Sequence, residues 1–531
     1  MQRIATEDAF DVLVVGAGAA GGVIAAQAAR AGKRVLVLES GPARELSDLT
    51  SSQIDARRLK WSGAHVEESG NLPIGHAFNA GWGTGGSALH HYAVWPRLHD
   101  NDFKVKSEYG KSLDWPIEYA DLRPFYDRVQ AEVGISGDAR LEKWRPQGAD
   151  YPMPALPVFA QGRVIEKGFA ARGLSTAPLP LAINSVKTGL RRACLFDGWC
   201  DAGCPIGALA NPLVTYLGWA LKAGAELRNR ATVSRILHAA NGRTVTGVEY
   251  HDAAGVSHTV RADTVVLAAF AVQNARLLLA SASEKHPRGL SNSNDLVGRY
   301  LMTHPANTIY GMFEEETQPH FGATGGQLLN HDHYQQKDKG KAFGSYQWLI
   351  ANALKPHDLL GIANSRPDIY GAALDDFMRT AALHIGTMSF VGEDLALAEN
   401  RVQLSTAEDT YGVPLARTVH NILEPTQELV SGAVAEGLDI FKAAGAAKPW
   451  AGPRVAMHIM GGTVMGEDAR TSVTDSYGRV HELDNLYVAG PGLFPSSGAV
   501  NPTFTIHALA LRTADHLLGT ATGNSAANIT P

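Results

Sequence analysis

The first regular pattern in the chain is a short β-branched run, Asp11-Val12-Leu13-Val14-Val15-Gly16, of the kind that forms a strand buried on both faces. An alanine-rich stretch with few helix breakers, Ala17 to Arg30, predicts a helix. Val35 to Leu38 is a second buried run ending at Glu39, so this region predicts a βαβ unit. From about 105 to 190 the chain is proline-rich and reads as irregular. Between 226 and 268 apolar and polar residues alternate around turn signals at Asn241-Gly242 and Ala254-Gly255, which predicts inserted hairpins. Asp263 to Ala268 predicts a further buried strand, with a helix from about Val272 to Ala282. Residues 310–450 mix strand and helix patterns and hold no phosphate motif. Glycine-rich turns then surround one buried run, Leu486 to Gly490, before a final helix through Leu517.

This layout predicts an α/β protein with a discontinuous nucleotide domain, 1–100, 191–310 and 451–531. A substrate domain, 101–190 and 311–450, is inserted between its pieces. Length alone, 531 residues, calls for two or more domains. Hydrophobic residues at 45% and charged residues at 19% are ordinary for a globular enzyme. A net charge of −6 without a basic run argues against a nucleic-acid partner. No run of 18 apolar residues predicts a membrane span, and no signal-peptide core precedes the first strand. The polypeptide by itself therefore reads as cytoplasmic.

Gly16-Ala17-Gly18-Ala19-Ala20-Gly21 is a GxGxxG between strand and helix. Gly16 permits the tight turn, Gly18 lets backbone approach a pyrophosphate, and Gly21 allows close helix–strand packing. The helix N-terminus offers N–H groups and a positive dipole end to phosphates. Glu39 closes the second strand, where a carboxylate accepts hydrogen bonds from ribose hydroxyls. That acid argues against NADP and leaves FAD and NAD open.

The other motifs narrow the choice. Asn485-Leu486-Tyr487-Val488-Ala489-Gly490, with Phe494-Pro495-Ser496 and Gly498-Ala499-Val500-Asn501-Pro502-Thr503, resembles the C-terminal signature of the glucose–methanol–choline oxidoreductase family. Met457-His458-Ile459-Met460-Gly461-Gly462 is similar to its catalytic-histidine segment, and Gly83-Thr84-Gly85-Gly86-Ser87 to its flavin-facing loop. Matches at the start, middle and end, in the family's order, make the resemblance specific and chain-long. Within the family the chain resembles the catalytic subunits of iron–sulfur-containing, FAD-dependent hexose dehydrogenases. Asn101-Asp102-Phe103-Lys104, Asp114-Trp115-Pro116-Ile117 and Cys194-x5-Cys200-x3-Cys204-Pro205 carry that closer likeness.

The resemblance implies a Rossmann-type FAD domain and an α+β substrate domain built on an antiparallel sheet. It implies FAD contacts from Gly16, Gly18, Gly21 and Glu39, and from Gly85, Gly86, Ser87 and His90 in the second glycine loop. Val233, Gly490, Asn501, Pro502 and Thr503 complete that set. His458 is implied as the base for the substrate hydroxyl, with Asn501 holding the substrate oxygen. A histidine suits this role because its ordinary pKa lies near working pH. Many family members carry a second histidine where this chain has Asn501, so catalysis rests on His458. His507 reads as packing. In some sugar-oxidising relatives a histidine at the spacing of His90 bonds covalently to the flavin 8α carbon. Here His91 follows it instead of tryptophan, and a non-bonded flavin neighbour is the alternative.

The three cysteines, Cys194, Cys200 and Cys204, fall within eleven residues, a poor disulfide framework and a good metal-site candidate. By resemblance they hold a [3Fe–4S] cluster, which needs no further ligand. A [4Fe–4S] cluster would need a fourth, such as Asp197 or Asp201; structural zinc also wants four, and buried inert thiols are the remaining alternative. A cluster gives reduced flavin a one-electron exit and so implies a dehydrogenase. The expected activity is oxidation of a sugar hydroxyl, hexose C1 first, glucoside C3 giving a 3-keto-sugar next, gluconate or polyols after. The resemblance also implies two partners: a small exported subunit that carries the chain to the periplasm, and a cytochrome c acceptor. Rival readings are a stand-alone oxidase, a lyase that keeps FAD structurally, and a nucleotide-binding assembly subunit.

Overall fold

A strand covered on both faces must be apolar throughout, and Val12 to Val15 are each no more than 5% exposed. In the computed structural model, which describes residues 9–520, they lie in β1 (Ala9–Val15), followed by α1 (Ala19–Arg30) and β2 (Val35–Glu39). The residues that bear on export, 1–8, lie outside that range. Four further strands, β3 (Glu226–Asn229), β4 (Thr232–His238), β5 (Val245–His251) and β6 (Ser257–Leu267), extend the sheet in the order β3-β2-β1-β6-β5-β4. The run β3-β2-β1-β6 is parallel, and the late strand Leu486–Val488 joins β6 in parallel register. The β4–β5 and β5–β6 pairs are antiparallel and turn at the two signals read from the sequence. α2 (Ala271–Ala280) follows β6, and the C-terminal α3 (Thr503–Leu518) packs against α1. This is the Rossmann-type half of the fold.

The proline-rich stretch is more ordered than its composition predicts. Tyr119–Val133 is a helix with Pro124 inside it, and Ala160–Ala171 is another. Leu122, Phe125, Tyr126, Val129 and Val133 form a buried stripe at helical spacing, and its packing outweighs the one backbone bond that Pro124 removes.

The second sheet is antiparallel. Its spine is β7 (Met302–Met312), β8 (Tyr346–Ile350) and β9 (Ile385–Gly392), with β7 beside β9 and β9 beside β8. β10 (Val455–Met460) pairs with the first half of β7. Trp348, Met388 and Phe390 from this sheet meet Ile165, Phe169 and Phe441 from the helices Ala160–Ala171 and Glu424–Ala443 in a separate core. The sheet crosses two of the four expected domain boundaries, since β7 starts before residue 310 and β10 lies after residue 451. A sheet recruits strands by register, which a boundary drawn from composition does not see.

Candidate active site

The β1–α1 turn shows why its glycines differ. Gly16 has φ +109°, and a Cβ there would sit 2.4 Å from the Ala268 carbonyl oxygen. A Cβ on Gly21 would strike the Gly16 carbonyl oxygen at 2.0 Å, so this glycine serves packing. Gly18 is different: the nearest atom to a Cβ there is Gly86 Cα at 4.0 Å. Nothing in the protein requires glycine at that position, and the open space faces a cavity of about 770 Å³. Glu39 stands on the same wall, with its carboxylate accepting bonds from the backbone N–H groups of Ala17 (3.0 Å), Gly41 (2.8 Å) and Gly83 (3.2 Å).

Gly16, Gly86, Ser87, His90 and Val233 continue the wall, and His458, Gly490, Asn501, Pro502 and Thr503 also line it. Gly85 does not; a Cβ there would meet Leu89 Cγ at 2.6 Å. A helix N-terminus, an acid at the end of the second strand and a cavity of this volume fit a dinucleotide cofactor.

His458 lies on β10 at a break in the register between Met457 and Met460, with φ +55°. A bulge re-aims a side chain, and a left-handed histidine costs about 1–3 kcal/mol that the surrounding pairing must offset. His458 Nε2 lies 3.2 Å from Asn501 Nδ2, and its Nδ1 lies 2.9 Å from Nδ1 of His304 on β7. His304 Nε2 lies 3.2 Å from the Ser497 carbonyl oxygen, which can only accept. Burial holds His304 near pKa 4, so it is neutral with its one proton on Nε2. Its bare Nδ1 then accepts from His458 Nδ1–H, which leaves His458 Nε2 with a lone pair. Burial, and then His304, push His458 well below the ordinary value of 6.5. That lone pair accepts the Nδ2–H of Asn501.

His90 is buried, and Lys60 Nζ lies 2.9 Å from its Nδ1. Burial, then Lys60 and His91, push His90 well below 6.5, and burial lowers Lys60 to about 8. His90 Nε2 is buried without a hydrogen-bond partner. His507 sits inside α3 against Trp95 and Tyr216, as packing.

The three cysteines line one small cavity of about 30 Å³. Each sulfur accepts a backbone N–H: Cys194 from Phe196 (3.3 Å), Cys200 from Thr324 (3.4 Å), Cys204 from Leu209 (3.4 Å). Arg191 fastens the loop, donating to the carbonyl oxygens of Val133, Gly207 and Ala208. Burial pushes the Cys194 thiol to about 11 and Cys200 to about 12, so thiolates here need a metal's positive charge. Among the described residues no group of three His, Cys, Asp or Glu could hold a single metal ion. In a cluster each thiolate takes its own iron, so the sulfurs need not converge on one point, and N–H···S bonds are part of such sites. The loop is compatible with that group.

The comparisons with known proteins meet this geometry. The GMC oxidoreductase family models match residues 10–306 and 396–510. The chain belongs to the GMC oxidoreductase family. It is 30% identical to the fructose dehydrogenase large subunit of Gluconobacter japonicus, with 96% of this chain and 97% of that one covered. It is 31% identical to the 2-methyl-1,2-propanediol dehydrogenase of Mycolicibacterium austroafricanum, covering 96% and 95%. In structure it is similar to formate oxidase of Aspergillus oryzae, with TM-score 0.70, 17% identity and coverage of 97% and 99%. As a GMC oxidoreductase it is an FAD-dependent enzyme acting on CH–OH groups of sugar or alcohol substrates. FAD, when bound, supplies the hydride acceptor. The pair has the chemistry for proton handling: His458 Nε2 carries a lone pair able to take a proton, and Asn501 Nδ2–H is able to donate to an oxygen.

His458 and Asn501, both read from the sequence, are thus brought together, while His304 and Lys60 were missed. His304 sits in Met302-Thr303-His304-Pro305, a run without its own chemical signal, 154 residues from its partner.

Proposed function

We propose that this GMC oxidoreductase is a sugar dehydrogenase whose electrons leave through a [3Fe–4S] cluster held by Cys194, Cys200 and Cys204. The observation that carries this reading is the cysteine loop: three thiols on one cavity, each accepting a backbone N–H, beneath a cationic clasp. A sugar substrate is supported by full-length similarity to a fructose dehydrogenase large subunit. Asn352 and Ser389, which line the cavity beside the apolar Leu349 and Val391, give hydroxyls hydrogen-bonding partners and support it too. Hexose C1 is the first carbon to test, with glucoside C3 next. Leu190 and Leu195, 93% and 67% exposed on the loop, offer apolar contact to a cytochrome c acceptor or a small subunit. Co-export with a signal-bearing partner to the periplasm belongs to the same proposal. His90, which lines the cavity and whose buried Nε2 has no hydrogen-bond partner, is the candidate for covalent flavin attachment.

The test is iron and sulfide analysis of anaerobically purified protein, with oxygen uptake on adding glucose, fructose, a methyl glucoside, gluconate or sorbitol. About three irons per chain, with reduction of cytochrome c and little oxygen uptake, is the expected result. Flavin without iron, together with rapid oxygen uptake, would replace this reading with an oxidase.

A further inference from the structure

The hydrogen bonds around Asn501 run on, away from His458, into the substrate domain. Asn501 Oδ1 accepts from Gln347 Nε2 at 2.9 Å, and Gln347 Oε1 lies 3.1 Å from His331 Nε2. His331 Nδ1 lies 3.2 Å from His99 Nε2, and His99 Nδ1 lies 2.6 Å from Gln335 Nε2. His99, His331 and Gln347 are all buried, so an unmade bond here is not replaced by water.

The polarity of this row follows from one atom. The Ser497 carbonyl oxygen fixes His304 and His458 as argued above, which obliges Asn501 to present Nδ2–H to His458 and Oδ1 to Gln347. Gln347 must then donate, and its own oxygen must face an N–H on His331. Burial holds His331 near pKa 4, and burial, then His331 and Lys337, push His99 well below 6.5. Both rings are therefore neutral, each with its proton on Nε2, and the last bare nitrogen meets the Gln335 amide. Every donor has an acceptor in one direction, and no bond can be reversed singly.

We propose that Gln347, His331 and His99 are positioning residues that lock the Asn501 carboxamide with its N–H toward the reacting oxygen and withhold its Oδ1 from the cavity. The proposal rests on the reading of His458 and Asn501 as the pair that holds the substrate hydroxyl. Orientation is the only role the row can take. Two carboxamides interrupt it, and these neither take up nor release protons near neutral pH, so it cannot carry a proton to the surface. Fixing the donor matters because charge develops on the substrate oxygen as its proton leaves, and an amide free to turn would offer its oxygen to that charge half the time.

The test has an arm that needs no substrate. In the wild-type holoenzyme labelled with ¹⁵N-histidine, with signals assigned by single substitutions, His458 should be the Nδ1–H tautomer and His304, His331 and His99 the Nε2–H tautomer. His331 or His99 protonated on Nδ1 instead would overturn the proposal. The second arm compares Gln347→Leu with Gln347→Glu, both checked for bound flavin. An ionised carboxylate can only accept, so at the alkaline end of the pH range Asn501 must turn its Nδ2 to residue 347 and its oxygen to His458. The protonated carboxyl donates as glutamine does, and the rates are therefore compared at high pH. The limiting rate of flavin reduction should fall in the order wild type, Leu, Glu, with Glu down roughly 10²-fold and KM little changed. Equal losses in the two variants, or losses confined to KM, would show that Gln347 only fills space. Should no alcohol reduce the wild-type flavin, the functional reading has failed and the tautomers still decide this one.

Discussion

His458 faces the cavity because its backbone takes a conformation few residues other than glycine adopt, and because His304 claims its other nitrogen. Two consequences can be measured. In the role proposed for it His458 acts in its neutral form, and burial followed by His304 lowers its pKa well below 6.5. On acidification kcat/KM should therefore hold through pH 6.5 and fall only below it, read from initial rates across a pH series. A midpoint above 6.5 would contradict the lowered pKa. Asn501→Ala should reduce the limiting rate of flavin reduction by about 10²-fold with KM little moved, because the lost donor acts on charge that develops during reaction. At this scale the sequence was half legible. His458 and Asn501 stand inside motifs that mark them, whereas His304 becomes visible only when β7 and β10 pair.

The elements divide in a similar way. The βαβ unit and the hairpins were readable because buried parallel strands and glycine turns leave strong local patterns. The helix Tyr119–Val133 was not, since Pro124 argues against it locally and the buried stripe that overrules it needs a partner surface to be recognised. The glycine turn yields a contrast. Gly16→Ala puts a Cβ 2.4 Å from a backbone oxygen at φ +109° and should destabilise the apoprotein by about 1–3 kcal/mol or more in denaturant melts. Gly18→Ala meets nothing within the protein closer than 4.0 Å. It should leave the apoprotein melt within about 0.5 kcal/mol of wild type while weakening FAD binding in a flavin titration. Equal effects in both assays would mean that Gly18 serves the fold and not the cofactor.

Across the whole molecule, two sheets from interleaved stretches of chain meet around one cavity, and a buried ion cluster helps hold the substrate side in place. Lys337 donates to Asp102 (2.8 Å) and Glu393 (2.6 Å) with no solvent exposure, and Tyr334 beside it stacks on His99. Burial lowers the ammonium's pKa, but the two carboxylates outweigh it and hold it above its usual value. Asp102 stands in one of the quoted stretches, but Lys337 and Glu393 lie outside every motif, which is why the sequence announced the cofactor and the base but not the frame that aims them. The proposed electron route is separable from the chemistry at this scale. Cys200→Ser should lose iron and cytochrome c reduction while a substrate still bleaches the flavin anaerobically; simultaneous loss of bleaching would tie the loop to the active site itself. The central claim is that the His458–Asn501 pair activates an alcohol for oxidation by bound FAD. Its most direct test is anaerobic stopped-flow reduction of the flavin by a panel of sugars and polyols, in wild type and in His458→Ala. At least one substrate should bleach the wild-type flavin, and His458→Ala should slow that step by roughly 10²–10⁴-fold with the flavin still bound. Bleaching at an undiminished rate in His458→Ala would contradict the account.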